Sequence, residues 1–337
     1  MKKFFFLSLV AMLLSVGNAS AVDNNTVEIV YNGNSATVTV ASNISSYVTV
    51  QSANSSHVKI VQDESFAGVD ATLNNVYGEI TYVLSGSSTD GEFYMEGAFK
   101  STVELSGLTL TNPAGPAINI QNGKRITLSV KKNTVNSIAD GANEDYNGCL
   151  HCKGHLKMKG KGVLNVVGNS RHGIYVKEYL EVKNATLNIT AAAKDAIHCK
   201  EYMLMESGTV TISGAQDDGI QVELAGTEST GVKTDHEDED TGNFYMLDGT
   251  LSISGYQGKA IKADGTITYS GGTQNFDKND TEISASVERL TAIVNDGRSW
   301  VYDLRGCRVE TGSMSKKGIY VVKRDGKVSK VVNNAAK

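Results

Sequence analysis

The stretch KDAIHCKEYMLM, residues 194–205, repeats the pattern of RHGIYVKEYLEV, residues 171–182. Each stretch contains an isoleucine, then alternating polar and apolar residues, then Lys-Glu-Tyr. A third, less complete version follows, and the isoleucines of the three versions, Ile174, Ile197 and Ile220, are spaced 23 residues apart. Self-similarity at a fixed period indicates a repeat architecture, in which every copy forms the same structural unit.

Each repeat holds three short segments in which apolar and polar residues alternate, and this alternation is the period of a β-strand. Aligned apolar pairs outside the isoleucine segment include Leu156/Met158, Leu180/Val182, Met203/Met205, Leu164/Val166, Leu187/Ile189 and Val210/Ile212. Corners with Gly or Asn separate the segments, and no helical pattern lies between them, which excludes a βαβ array. The repeat predicts an all-β fold: a right-handed single-stranded parallel β-helix with coils of about 23 residues, stacked about 4.8 Å apart.

Four regions are predicted along the chain of 337 residues. Residues 1–21 have the pattern of a signal peptide, with two lysines, an apolar run and an Ala-x-Ala cleavage site, so we expect an exported protein, extracellular or on the outer cell surface. Residues 22–100 are β-like but off the repeat, and we expect an N-terminal β cap over the open strand edges. Residues 101–275 are the predicted β-helix, and residues 286–337 a small C-terminal β module.

Charge and cysteine content exclude other classes of protein. A formal net charge of −5 with mixed signs gives no bias towards nucleic acid. The spacing of Cys149 and Cys152 suits a redox or zinc motif, but no second ligand pair accompanies it. Cys152 and Cys199 align with the inward isoleucine segment, so we expect both to be small core residues.

Outward positions of the isoleucine segment also align from repeat to repeat, as rings and lysines. The predicted ligand-binding residues are His151, Lys153, Tyr175, Lys177, His198, Lys200 and Gln221. Lysines stacked at coil spacing repel one another unless an anion or neighbouring carboxylates neutralise them. This favours an elongated polyanion whose sugar faces stack on the rings. The alternative is a solvated face whose lysines only discourage edge-to-edge association.

Carboxylates gather at the corner that precedes the same segment. Asp195 and Asp218 are one coil apart, so we expect their side chains to lie about 5 Å from each other, with Asp217 and Glu201 nearby. Close carboxylates raise one another's pKa or bind a hard cation, and Ca²⁺ accepts six to eight oxygens. These four residues are the predicted Ca²⁺ ligands. The alternative is ordinary Asp-Gly turn chemistry. The acidic insertion at about residues 225–242 is a weaker second candidate.

Several segments resemble a known family. NGCLHCKGHLKMKGKGVLNVVGN, RHGIYVKEYLEV, KDAIHCKEYMLM and AQDDGIQVE are similar to the bacterial carbohydrate-binding, calcium-binding parallel β-helix family of the polygalacturonate-binding type. The resemblance covers about residues 78–272 and implies a non-catalytic protein with a pectin-like polysaccharide ligand and bound Ca²⁺. Asp217-Asp218 and Asp195 keep the family's acidic corner, whereas the corner one coil earlier departs from it.

The tail resembles a different module. WVYDLRGCRVETGSMSKKGIYVVKRDGKVSKVV, residues 300–332, is similar to the C-terminal sorting modules of secreted Bacteroidetes proteins. That resemblance implies outer-membrane secretion machinery as a partner and attachment to, or release from, the cell surface. The alternative is a small β-sandwich with no sorting role.

Catalysis is the main competing function, because parallel β-helices also host pectin-degrading hydrolases and lyases. Asp195, Asp217 and Asp218 could supply an acid and a base. However, the His-Gly pair of such hydrolases follows the Asp pair, whereas here it comes one coil earlier. A lyase needs a basic residue such as arginine, and only two arginines occur between residues 101 and 280. We therefore expect a carbohydrate-binding protein rather than an enzyme, with a surface adhesin as a further alternative.

Overall fold

The structure is a computed structural model. It describes residues 22–52, 55–68, 78–141, 145–226, 239–278 and 280–283, and strand residues 300–302, 308–309, 318–324 and 327–333. The predicted signal peptide, Cys307 and most of the acidic insertion lie outside the described residues. Within the described part of the chain, no helix has the length and apolar character needed to cross a membrane.

The described residues form three β-sheets and one 3-10 turn at Ser42–Ile44. The first sheet contains β1 (Thr26–Asn32), β2 (Ser35–Val40), β5 (Ile80–Ser88), β7 (Ser101–Asn112), β9 (Ile126–Val130), β10 (Val135–Asp140), β12 (Leu156–Gly160), β13 (Val163–Gly168), β15 (Leu180–Lys183), β16 (Thr186–Ala192), β18 (Tyr202–Met205), β19 (Thr209–Ile212), β21 (Asn243–Met246), β22 (Thr250–Ile253), β24 (Ile267–Tyr269) and β25 (Thr273–Phe276). The second contains β3 (Val48–Val50), β4 (His57–Gln62), β6 (Glu92–Glu96), β8 (Ile118–Ile120), β11 (Gly148–Cys152), β14 (His172–Val176), β17 (Ile197–Lys200), β20 (Ile220–Glu223), β23 (Ile261–Ala263) and β26 (Glu282–Ile283). The third contains β27 (Trp300–Tyr302), β28 (Arg308–Val309), β29 (Gly318–Arg324) and β30 (Lys327–Asn333).

Three strands recur in each coil, one in the second sheet and two in the first. Thus β14, β15 and β16 form one coil, and each pairs in parallel with its equivalent in the next, β17, β18 and β19. The long strand β7 joins the two arms of the first sheet, because its first half pairs with β9 and its second half with β10. The all-β, β-helix-like architecture is confirmed, whereas its right-handed sense and coil size stay predictions.

The interior is a stack of equivalent apolar side chains. Ile174 pairs with Ile197, and Ile197 with Ile220, and all three have 0% exposed surface. Parallel strands place equivalent residues one strand spacing apart, so apolar residues of successive coils cover one another. Cys152 and Cys199 are fully buried and carry free thiols, as expected of small core residues.

Glycine corners let the coils stack closely. Gly208 and Gly249 occupy equivalent corners with φ of +101° and +97°, a backbone region that L side chains rarely adopt. A Cβ on Gly249 would also overlap the carbonyl oxygen of Gly208. Glycine is therefore required there both by the turn and by the neighbouring coil.

Parallel pairing also occurs among strands that precede residue 101, the predicted start of the β-helix. Strand β4 pairs in parallel with β6, and β5 pairs in parallel with both β1 and β7. In this part of the described chain, antiparallel pairs occur between β1 and β2 and between β3 and β4. These hairpins lie at the end of the stack where a cap was expected, and the boundary between cap and β-helix stays a prediction.

The acidic insertion leaves the stack at a narrow neck. Ile220 pairs directly with Ile261, so the coils on either side of the insertion remain in register. The carboxylate of Asp240 accepts hydrogen bonds from the amides of Ala225 at 2.7 Å and Gly226 at 2.9 Å. The two ends of the insertion are thereby tied together at the wall of the stack.

The C-terminal residues form a separate small sheet. Its strand order is β28-β27-β29-β30, and its neighbouring strands are antiparallel. A sheet of this kind fits the expected C-terminal β module, whose sorting role stays a prediction.

Replacing one isoleucine of the interior file tests whether the stacked core holds the fold. We expect Ile197→Ala to lower the free energy of unfolding by about 2–5 kcal/mol, because the lost side chain leaves a cavity between coils. The urea midpoint measures the change. Thr211→Ala, at a half-buried outward position, is the control and should change the midpoint little. Equal effects of the two substitutions would contradict an interior stack at Ile197.

Candidate functional site

A ladder of rings runs along the outer face of the second sheet. His151, Tyr175 and His198 are register partners in β11, β14 and β17. Successive ring centroids are 5.3 Å apart in both pairs, with interplanar angles of 23° and 31°. Gln221 is the next partner after His198. The predicted column of rings is therefore continuous over three successive coils, with one ring on each.

The three lysines flank this ladder unequally. The amides of Lys153 and Lys177 each donate to a carbonyl of the preceding coil at 2.9 Å, which keeps the column in register. Lys153 and Lys177 are exposed and have no ion pair within the described residues, whereas Lys200 lies 3.5 Å from Glu223. Part of the predicted charge is thus internally neutralised, and the rest is open to an anion.

His151 is uncharged at neutral pH. Burial lowers its pKa to about 4, and the neighbouring Lys177 ammonium adds to the effect. A neutral imidazole next to a lysine adds no repulsion. Its face stacks on Tyr175, so the ladder presents ring edges rather than the faces that were expected to stack on sugars.

The acidic corner is first a structural device. One oxygen of Asp195, Oδ1, accepts the amide of Asp218 at 3.0 Å, and Oδ1 of Asp218 accepts the amide of Lys259 at 2.7 Å. Each carboxylate thus ties its corner to the next coil. Ordinary Asp-Gly turn chemistry, the alternative to a metal site, explains the contacts of these two Oδ1 atoms. It does not involve the two Oδ2 atoms, which can make other contacts.

Asp195 and Asp218 also lie close to a third carboxylate, that of Asp217. Asp195, Asp217 and Asp218 each place one carboxylate oxygen within 4.8 Å of the other two. Oδ2 of Asp218 is buried without a hydrogen bond from any described residue, and the nearest cation is the Lys262 ammonium at 3.7 Å. Burial raises the pKa of Asp218, with Asp195 as an additional cause. Three of the four predicted metal ligands therefore come together, and one of them has a buried oxygen without a hydrogen bond.

Glu201, the fourth predicted ligand, lies in a different cluster. Its carboxylate is 3.4 Å from Nε2 of His155, which also contacts Glu178 at 3.0 Å. The His155 ring stacks on Tyr179 with centroids 4.2 Å apart. Glu201 has a φ of +61°, so the chain turns there and directs the side chain away from the acidic corner.

A cleft of about 310 Å³ joins the ladder to the acidic corner. Its lining from the predicted set is Tyr175, Asp195, His198, Lys200, Asp217 and Gln221. His151, Lys153 and Lys177 lie further along the ladder and do not line it. Arg171, His172, Lys194 and Glu223 also line the cleft and were not among the predicted site residues. Their signal was positional, because Arg171 and Lys194 precede ladder strands at aligned corners and His172 is the first residue of one.

His172 and His198 converge on a single carboxylate oxygen. Their Nδ1 atoms lie 3.3 and 3.0 Å from Oδ2 of Asp195. Burial alone would raise the pKa of Asp195, but the two imidazoles hold it below its ordinary value. Nε2 of His198 faces Glu223 at 3.3 Å. The Asp195 carboxylate is therefore ionised at neutral pH, and it lies between the imidazoles of His172 and His198.

The fold and the cleft define a β-helix-like protein with a polar site along one wall. The chain belongs to a family described as carbohydrate-binding domain-containing protein, whose model matches residues 70–324. A solved structure titled polysaccharide lyase-like protein from C. thermocellum, a gadolinium derivative, is similar with a TM-score of 0.53 and 17% identity. The similarity covers 77% of this chain and 99% of that one, and at this identity it shows the fold alone. No curated protein matches the chain.

The His155 cluster predicts a pH-dependent stability. Burial alone would lower the pKa of His155, but the facing carboxylates of Glu178 and Glu201 raise it to about 9. Because this exceeds the unfolded value of about 6.5, the contribution of charged His155 is complete below about pH 6.5 and is lost as the pH rises through about 9. We expect the melting temperature to fall between about pH 7 and pH 10, and to fall less steeply in His155→Gln.

His151→Gln is the matched control for this experiment. With its pKa near 4, His151 is neutral throughout that pH range, so its replacement should leave the slope unchanged. Parallel profiles for the parent protein and His155→Gln would show that the ion pairs do not stabilise the fold.

Proposed function

We propose that this protein is an exported, non-catalytic carbohydrate-binding protein whose ligand is an acidic, pectin-like polysaccharide. The ring ladder carries this proposal. It presents the edges of three successive rings, whose faces stack on one another, with the two exposed ammonium groups of Lys153 and Lys177 beside it. Membership of a carbohydrate-binding family supports sugar binding in general, and the acidity of the ligand is inferred from the lysines.

A linear ligand would lie along the stack of coils. Its sugar rings would lie across the exposed ring edges of the ladder, where the Tyr175 hydroxyl can hydrogen-bond to sugar hydroxyl groups. Carboxylates of the ligand would pair with the exposed lysines through charge-assisted hydrogen bonds. A periodic site favours a polymer over a small sugar, because several weak contacts on one chain combine into a stronger one.

We propose further that Asp195, Asp217 and Asp218 hold Ca²⁺. The donor set consists of oxygens, which hard cations prefer. The buried Oδ2 of Asp218 supports the fit, because an unpartnered buried carboxylate oxygen is costly and a cation would satisfy it. When bound, Ca²⁺ would supply positive charge at the end of the cleft and could bridge the protein to the carboxylate of an acidic sugar.

Catalysis by the same carboxylates is the competing function. A general acid needs a raised pKa and a free oxygen, whereas Asp195 has a lowered pKa and both of its oxygens have partners. Asp218 has the raised pKa, but its Oδ1 holds the next coil. The corner therefore suits ion binding and structural support better than proton transfer.

The proposed location is the exterior of the cell. It rests on the signal-peptide pattern of residues 1–21 and on the resemblance of residues 300–332 to sorting modules. Expression of the full chain in a host with and without that secretion system, followed by surface proteolysis, would test this part separately from ligand binding.

Loss of ring or charge from the ladder should weaken binding. We expect Tyr175→Ala and Lys177→Ala each to reduce affinity for polygalacturonate by about fivefold or more, which corresponds to about 1 kcal/mol. Affinity electrophoresis measures the change. Lys132→Ala removes an exposed lysine elsewhere and should retain parent affinity.

The same assays separate the alternatives. A polysaccharide-binding protein migrates more slowly through a gel that contains its ligand. It generates neither new reducing ends nor unsaturated product. Formation of either product, abolished by Asp218→Asn, would establish an enzyme instead. Absence of any retardation across a panel of acidic and neutral polysaccharides would refute the proposed function.

Removal of Ca²⁺ should destabilise the protein. A cation that binds only the folded state stabilises it by about 2.7 kcal/mol at a hundredfold excess over its Kd, so a chelator should lower the melting temperature. Asp217 is exposed, so Asp217→Asn should fold normally yet respond less to Ca²⁺. An unchanged melting temperature on chelation would count against the site.

A further inference from the structure

We propose that His172, Asp195 and His198 form a second cation site, selective for a borderline transition metal such as Zn²⁺. All three residues are at least nine-tenths buried, with 5%, 2% and 8% of their surface exposed. Their ligand atoms lie within 4.8 Å of one another. This inference does not depend on polysaccharide binding.

The distances match a metal's coordination shell. Zn²⁺ sits about 2.0–2.1 Å from imidazole nitrogen and about 2.0–2.2 Å from carboxylate oxygen, so tetrahedral ligands lie roughly 3.3 Å apart. Nδ1 of His172 and Nδ1 of His198 lie 3.3 and 3.0 Å from Oδ2 of Asp195. Both nitrogens therefore approach the same oxygen at separations close to those of ligands that share one ion.

An unsatisfied nitrogen separates this arrangement from a simple hydrogen-bonded cluster. Nδ1 of His198 makes a hydrogen bond with Asp195 at 3.0 Å. Nδ1 of His172 is buried and makes no hydrogen bond with any described residue, although the same oxygen lies 3.3 Å away. Buried polar atoms are normally satisfied, and a metal ion would satisfy this one.

The surroundings of His198 are those of a metal-bound imidazole. A ligating histidine usually donates its other ring N–H to a carboxylate, which fixes the ring orientation. Nε2 of His198 lies 3.3 Å from Glu223, whose carboxylate is in turn 3.5 Å from Lys200. With Nδ1 on the metal, Nε2 is left to carry the proton that this contact requires.

Ligand chemistry distinguishes this site from the proposed Ca²⁺ site. Imidazole nitrogen suits Zn²⁺ and its neighbours, whereas Ca²⁺ takes oxygen ligands. Asp195 belongs to both sets, but His172 and His198 belong to one and Asp217 to the other. All three residues of the histidine site line the cleft, so water or a sugar oxygen can complete the coordination.

Titration of the metal-free full mature chain with Co²⁺ tests the proposal, because Co²⁺ occupies Zn²⁺ sites and absorbs visible light there. We expect one Co²⁺ per chain, displaced by Zn²⁺ but not by millimolar Ca²⁺. His172→Gln should weaken metal binding at least tenfold. His151→Gln removes a ladder imidazole that does not face Asp195, and this variant should bind Co²⁺ with the affinity of the parent protein.

Two further variants keep the test decisive. Glu223→Gln should weaken Zn²⁺ binding about 10–100-fold by releasing the His198 ring. Asp217→Asn should respond less to Ca²⁺ and keep Zn²⁺ binding, so the two metal proposals fail separately. Circular dichroism without metal checks that each variant folds, and His198→Gln replaces His172→Gln if the latter does not. No stoichiometric metal, or equal affinity in the parent and the histidine variants, would overturn the proposal.

Discussion

In-register stacking of parallel strands is the constraint on which the rest of the structure depends. Each coil exchanges backbone hydrogen bonds with the next, so equivalent residues lie one strand spacing apart. Ile174 and Ile197 stack on one side of the pleat, and Tyr175 and His198 stack on the other. A slip of one residue would exchange the two faces. The apolar interior therefore also fixes the geometry of the outer ladder.

This constraint explains which features the sequence could predict. Within a strand, the period of two determines which face of the sheet a side chain lies on, and the constant repeat length determines which residues stack on it. The isoleucine file and the ring ladder were therefore predictable from spacing alone. At corners the alternation ends, and spacing no longer tells where a side chain points. Glu201, with its φ of +61°, was therefore grouped with Asp195 although it contacts His155. The convergence of His172 and His198 was missed because His172 is the first residue of its strand, next to the corner, and its neighbour Gly173 is buried as well.

The corner carboxylates link stability to recognition. Asp195 and Asp218 each use one oxygen to hold the next coil, and both belong to the proposed Ca²⁺ site. Replacement of either residue would therefore disturb the stack as well as the site. Fewer coil-to-coil hydrogen bonds involve the side chains of Asp217, His172 and Glu223. Substitutions of these residues therefore test the proposed sites with less disturbance of the stack.

The neck closed by Asp240 has a consequence for how such a wall can diversify. Because Ile220 meets Ile261 directly and the loop is fastened at its own base, chain can be added or removed beyond the neck without altering the coils. Evolution could lengthen, shorten or recompose that projection while the scaffold stayed constant. The same junction is a natural place for an engineer to graft a foreign epitope or a second recognition element.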